Sequence, residues 1–307
     1  MVRTQAATQQ QHANIESLGR SWQRSLRAEN KSPKTVQTYR EAVEAFDGFL
    51  AAQGITMAAS QLTREHVEMF ITDQLARWKP ATASVRFRAL QQFFQWTLEE
   101  GELKQSPMAR MRPPIVPVEP PPVLGEEQLG RLLRACDGGT FQARRDRALI
   151  LLLLDTGMRR GELAGLKVDD IDLERNLAVV LGKGRRPRAC PFGRKTAQAL
   201  DRYLRLRATH RATDSSALWL GKAGLLTSNG VYQVVRDVAT RAGLPDVYPH
   251  QLRHSFAHAW LSNGGSETDL MQLTGWKSRT MLQRYGASAA AERAREAHKR
   301  LSPGDRL

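Results

Sequence analysis

Cysteine is scarce in this chain of 307 residues: Cys136 and Cys190 are the only two. Two cysteines do not make the disulfide framework of a small secreted scaffold, so the expected setting is a reducing cytoplasm. Long apolar runs are missing as well. The longest, ALILLLL at 148–154, has the length of a helix core and falls short of the roughly 18 apolar residues that a membrane span requires. The opening MVRTQAATQQQHA has no apolar segment of the kind a secretory signal carries. Acidic residues are too few to balance the bases, since 31 Asp+Glu face 46 Lys+Arg and leave a formal charge of +15. That excess points to a polyanionic partner, most simply nucleic acid. No internal repeat is found.

What is present supports globular folding, with 41% hydrophobic residues in a length suited to about two domains. The seam is SPMARMRPPIVPVEPPPV at 106–123, whose seven prolines forbid regular helix and favour a stiff, extended connector. Before it, helical patterns run over 14–30, 32–54, 62–78 and 79–101, with Ser32 and Thr63 as caps, Pro33 opening a helix, and Leu90, Phe93, Phe94 and Leu98 facing inward. The spacing predicts a disordered tail at 1–13, a helical bundle at 14–105, the connector at 106–123, a second domain at 124–301 and a short tail at 302–307. On the bundle, Lys79, Arg86 and Arg88 are candidate phosphate contacts, although a charged face is more often simply solvated.

The second domain mixes types. A helix over 143–166 is interrupted at Thr156-Gly157, and after VDDIDLERN the alternating LAVVL (177–181), a GKGRRP turn and RACPF read as a short antiparallel sheet with a basic tip. Further helices are expected at 194–210, 228–243, 249–263, 266–274, 278–285 and 287–301. PHQLRHSFAHAW (249–260) concentrates His250, Arg253, His254 and His258 on one helix, with Leu252, Phe256 and Ala259 as its apolar stripe. A zinc-protease helix would place Glu after the first His, where Gln251 stands. A solvated face and an anion site are the remaining readings, and the +15 charge favours the anion.

TGMRRGEL (156–163), GKG (182–184), HQLRH (250–254) and TGWKSRTMLQRY (274–285) stand in an order and spacing that resemble the tyrosine recombinases, or phage integrase family, and especially its Xer-type and integrative-element members. The likeness runs from about Asn14 to Leu301. It implies a mainly α fold with a small antiparallel β-sheet: an N-terminal SAM-like helical core-binding domain and a C-terminal α+β catalytic domain. It implies a site-specific recombinase that cleaves and rejoins double-stranded DNA through a covalent 3′-phosphotyrosine, a chemistry like that of type IB topoisomerases. It implies a reaction in which no metal, nucleotide or other cofactor takes part. By position, Arg159 and Arg253 match the catalytic arginines, Lys183 the hairpin lysine, His250 the histidine and Tyr285 the nucleophile. Trp276 falls where many members carry histidine, which leaves an N–H donor but no proton-transfer role. Glu162 and His254 match residues that orient the arginine and the site wall, while Arg185 and Arg186 flank the lysine as candidate DNA contacts.

The chemistry accounts for these residue types independently. Attack on a phosphodiester gathers negative charge that two guanidiniums can neutralise. A phenol of pKa about 10 needs a base such as imidazole, and the departing 5′-oxygen needs a proton that a lysine can supply. Taken singly, each residue has a plainer reading: Arg159 as a carbonyl cap, Lys183 as a solvated cation, Glu162 as an exposed acid, Trp276 and Tyr285 as packing residues. His258 is read as structural.

The amphipathic tail 287–301 is either folded on its own domain or donated to a neighbouring protomer in a tetramer on two DNA sites. The resemblance implies a cytoplasmic, nucleoid-associated bacterial protein, and the integrase of a mobile element is the favoured setting. A chromosome-dimer resolvase, a transposon recombinase and a non-catalytic DNA-binding protein are the alternatives.

Overall fold

The computed structural model describes residues 14–117, 121–182, 187–222 and 224–279, then 282, 294, 295, 298, 299 and 301–306. Lys183, Arg185, Arg186, Tyr285, the tail 1–13 and most of the last two expected helices lie outside the described residues. The chain divides into two compact units, Met1–Val118 and Glu119–Leu307.

In the first unit, four helices follow the sequence punctuation closely: α1 (Ile15–Ala28), α2 (Pro33–Ala52), α3 (Arg64–Arg77) and α4 (Pro80–Glu99). Asn14 Oδ1 accepts from the Ser17 amide at 2.8 Å and Ser32 Oγ from the Thr35 amide at 3.1 Å, satisfying donors that a helix start leaves open. At Thr63 the side chain of His66 closes the end instead, its Nδ1 accepting from the Thr63 amide at 3.0 Å. The core is aromatic. Trp22 stacks on Tyr39 at 5.1 Å and Phe46 meets Phe70 edge-on at 5.2 Å, with Phe93 and Phe94 beside them. Leu90, Phe93 and Phe94 are buried as expected, and Leu98 is half-buried.

The expected connector is not extended from its start. Met108 is 2% exposed in the core of the first unit, where Leu103 is also buried and Met111 packs alongside. The reason is a turn, in which Ser106 Oγ accepts the Met108 amide at 3.1 Å, that points two methionines inward. Proline counting does not weigh such burial.

The second unit opens on a helix that the sequence reading omitted, α5 (Glu126–Arg134), whose Leu129, Leu132 and Leu133 pack on the core. The apolar run lies in α6 (Phe141–Thr156), where 148–153 are all buried. No helix among the described residues is long and apolar enough to cross a membrane. After α7 (Arg160–Ala164) come β1 (Ile171–Asp172), β2 (Leu177–Leu181) and β3 (Pro187–Pro191), an antiparallel sheet in that order with Ala178 opposite Cys190 and Val180 opposite Arg188. The chain continues through α8 (Arg194–Arg207), a hairpin of β4 (Leu220–Gly221) and β5 (Gly224–Leu225) that was not expected, α9 (Ser228–Arg241), α10 (Pro249–Ser262) and α11 (Glu267–Thr274). This is the mainly α fold with small antiparallel sheets that the sequence implied.

One expected stripe needs correction. On α10, Leu252 and Phe256 are buried, but Ala259 is exposed, and Gln251, Arg253, Ser255 and Ala257 are buried instead. The helix packs on α6, α9 and α11 together, so more than one of its faces is covered.

Between α6 and α7 the chain turns at Gly157, at φ 55°, in the left-handed region that favours glycine. A Cβ there would stand 2.3 Å from Phe256 Cδ1. Gly157→Ala is therefore expected to lower stability by about 2–4 kcal/mol, from backbone strain and overpacking together. Urea denaturation of the variant beside the unmodified chain measures it, and equal midpoints would show that Phe256 moves aside freely.

Candidate functional site

The break after α6 brings two arginines into different roles. Arg159 caps α7, and its amide donates to Glu162 Oε2 at 2.7 Å while its Nη1 donates to Oε1 at 2.9 Å. The same carboxylate accepts Arg188 from β3, Nη1 to Oε1 at 2.9 Å and Nη2 to Oε2 at 2.8 Å, in a two-pronged grip. Arg188 Nε also donates to the Leu273 carbonyl at 2.9 Å. The Glu162 side chain is only 8% exposed, so the plain reading of an exposed helix acid is excluded. Burial pushes its carboxyl pKa up, but hydrogen bonds from Arg188 and the Arg159 amide, with the Arg188 charge, overcome this and hold it at about 2.

Arg253 is 4% exposed. Its Nη1 donates to the carbonyl of Gly157, its Nη2 to that of Thr274 at 2.9 Å, and its guanidinium lies over the Trp276 ring at 5.3 Å from the centroid. Gly275, at φ 68°, ends α11 and turns the chain so that Thr274 and Trp276 can both serve Arg253. Trp276 is thus a buried platform.

His250 sits in the first turn of α10 with an exposed edge. Partial burial, then the charges of Arg253, Arg160 and Arg159, hold its pKa below the ordinary imidazole value. The ring of His254 lies 6.4 Å away. His258, a turn further, approaches Ser262 Oγ at 3.4 Å. The structure therefore groups Arg159, Glu162, His250, Arg253, His254 and Trp276. Lys183, Arg185, Arg186 and Tyr285 fall outside the described residues.

Two arginines beside this group were missed in the sequence. Arg188 had a signal: it alternates in phase with buried Cys190 on β3, where an apolar residue would be ordinary. Arg160, resting over the Tyr232 ring at 5.6 Å, had none beyond its charge. In the first unit, Lys79 and Arg88 are exposed, whereas Arg86 is turned inward onto Gln74 Oε1 and the Trp78 ring. Among the described residues, no three His, Cys, Asp or Glu side chains gather as a metal cluster.

With guanidiniums on carbonyl and carboxylate anchors and an imidazole held neutral at pH 7, the arrangement suits an anionic centre that needs both charge neutralisation and a base. Comparison with known proteins agrees with the geometry. The profile of the Phage integrase family matches residues 122–292, and that of the Phage integrase N-terminal SAM-like domain matches 18–102. Tyrosine recombinase XerC of Oceanobacillus iheyensis is 31% identical over 284 residues, covering 89% of this chain and 92% of that protein. Tyrosine recombinase XerC of Mycobacterium bovis is 34% identical over 290 residues, covering 89% and 94%. In fold, the chain is similar to the XerH site-specific recombinase bound to palindromic difH substrate, with a TM-score of 0.75, 19% identity, and coverage of 95% of this chain and 85% of that one.

The buried carboxylate gives a measurable signature. A pKa lowered in the folded state contributes stability that is present above the unfolded value near 4.5 and is lost as pH falls through about 2. Glu162→Gln is expected to remove that dependence, on the order of 2–3 kcal/mol between pH 4.5 and 2. Denaturation midpoints at a series of acidic pH values test it. Parallel curves for both proteins would refute the assignment.

Proposed function

The chain belongs to the phage integrase family, the tyrosine recombinases, and is an enzyme of site-specific DNA recombination; from that premise we propose which residues carry the reaction and on what DNA. Tyr285 Oη attacks the scissile phosphorus, forming a 3′-phosphotyrosine as the bond to the 5′-oxygen breaks. His250 takes the phenolic proton, and Lys183 returns one to the leaving 5′-oxygen. Arg159 and Arg253 neutralise the non-bridging oxygens. The observation that carries this reading is the anchoring of Arg253 on the Gly157 and Thr274 carbonyls, beside an imidazole of lowered pKa.

Trp276 does not move protons in this scheme. It supports the Arg253 guanidinium from beneath, at 5.3 Å. Because the ester energy is kept in the phosphotyrosine, rejoining needs no nucleotide. The first unit, with exposed Lys79 and Arg88, is assigned to DNA core binding, and the second to catalysis. The partner is a double-stranded recombination site, held as a tetramer on two such sites in a bacterial cytoplasm, with 287–301 either folded on its own domain or exchanged between protomers. The setting is integration of a mobile element. Suicide duplexes tiled across the DNA flanking the gene test it: adducts at paired element ends support integration, and an adduct confined to one chromosomal site supports resolution instead.

Two outcomes check the residue roles. Tyr285→Phe should form no covalent adduct on such duplexes and still bind them, since only a hydroxyl is lost; an adduct surviving in that variant would displace Tyr285 as nucleophile. The second-order cleavage rate, taken at subsaturating duplex so that it reports the free enzyme, should fall on the acid side with a midpoint below 6.5, because the imidazole must be neutral to accept the proton and its folded pKa is depressed. A single-turnover pH profile reads this, and His250→Ala should lose that limb; an unchanged limb in the variant assigns the base elsewhere.

A further inference from the structure

Arg188 has no part in the reaction as written, yet it is tied to both halves of the arginine pair. It is the second residue of β3, opposite Val180, with a side chain 12% exposed. One edge of its guanidinium grips both oxygens of Glu162, the carboxylate that also receives the amide and Nη1 of Arg159. Its Nε donates to the carbonyl of Leu273, one residue before Thr274, whose carbonyl seats Arg253. A planar guanidinium with fixed donor directions holds such anchors at a set spacing, which a point charge cannot do. Stability alone is a poor reason for the pair. A buried ion pair is often matched or bettered by apolar residues of the same volume, and its neighbour in phase on β3 is the buried Cys190.

We propose that Arg188 is a positioning residue for strand cleavage: by tying Glu162 on α7 to the Leu273 carbonyl at the end of α11, it sets the separation of the Arg159 and Arg253 guanidiniums. It does this without touching DNA, since the donors that reach Glu162 and Leu273 are turned inward. The inference rests on the assignment of Arg159 and Arg253 to the scissile phosphate. β3 also leads back directly to the segment that holds Lys183, so the same anchor fixes the strand from which that lysine departs.

The test uses the full chain and nicked suicide duplexes tiled across the DNA flanking the gene, in two forms: the natural phosphodiester and a methylphosphonate at the scissile position, which lacks the charge the arginines neutralise. Single-turnover adduct formation is measured for the unmodified chain, Arg188→Gln, Arg188→Lys, Glu162→Gln and the double variant Arg188→Gln/Glu162→Gln. On the phosphodiester, Arg188→Gln should lose about tenfold to a hundredfold in rate, the scale of a small misplacement, with duplex affinity unchanged. Arg188→Lys should recover only part of it, and the double variant should be no slower than the worse single one, since the two side chains act as one unit. On the methylphosphonate, the gap between Arg188→Gln and the unmodified chain should narrow to about twofold, because aiming the charges no longer matters. A rate for Arg188→Gln equal to that of the unmodified chain, or an equal loss on both substrates, overturns the inference and leaves the recombinase assignment standing. If Arg188→Gln does not fold, Arg188→Lys carries the same comparison: a loss confined to the phosphodiester supports the inference, and no loss or an equal loss on both substrates overturns it. No adduct from the unmodified chain on any duplex overturns the assignment of the reaction and this inference with it.

Discussion

One buried carboxylate orders the arginine cluster of the second unit. Glu162 accepts four hydrogen bonds among the described residues, from the Arg159 amide, Arg159 Nη1 and both terminal nitrogens of Arg188. Around it the charges do not balance: Arg159, Arg160, Arg188 and Arg253 cluster in the same centre, and Glu162 is ionised down to a pH of about 2. Positive groups at such spacing repel one another unless an anion joins them. Such an excess of positive charge is what the proposed binding of a phosphodiester requires. Glu162 is the carboxylate that Arg159 and Arg188 share, and it orients both guanidiniums.

The overall basicity that first pointed to nucleic acid is a looser guide than it looks. Several arginines are internal fasteners whose guanidiniums turn onto the protein itself. Arg207 donates to the carbonyls of Ser215, Ala217 and Leu218, Arg131 to those of Ala242 and Gly243, and Arg145 to Leu220 and the Asp146 carboxylate. These guanidiniums satisfy carbonyls of loops and helix ends. The nature of the partner follows from the sign of the charge. Which cations remain exposed is a separate matter: Lys79 and Arg88 do, while Arg86 is turned onto Gln74 and Trp78.

Helix positions were legible because their punctuation is local: Asn14, Ser32, Pro33, Pro80 and Gly157 each act within one turn of where they stand. The pair of core strands was legible from alternation in 177–181. What escaped the sequence is what depends on distant partners. The helix α5 is short, and only contact with the core shows that its leucines matter. The tiny β4–β5 hairpin exists because Leu220 and Leu225 pair, not because either segment has strand character. In the site, Arg159, His250, Arg253 and the orienting Glu162 were readable from motif spacing and resemblance, but the partners that hold Glu162 and Arg253 were not. Arg188 is 26 residues from Glu162 in sequence, and the Thr274 carbonyl is 21 residues from Arg253. No local pattern encodes such pairings.

The division of labour within the site follows from where each charge can change. Guanidiniums stay protonated at any pH the protein meets, so Arg159 and Arg253 supply a constant field that needs anchoring but no switching. The imidazole is the group that can gain and lose a proton near neutral pH, and burial first, then the charges of Arg253, Arg160 and Arg159, lower its pKa. In the proposed reaction the arginines that face the phosphate therefore also favour the unprotonated form of His250. When a phosphodiester enters, its negative charge opposes theirs, and the imidazole becomes a better base at the moment it faces the nucleophile's proton. Substitution of histidine by tryptophan at Trp276 is consistent with this economy, because a ring beneath Arg253 need only hold the charge in place and the proton already has an acceptor.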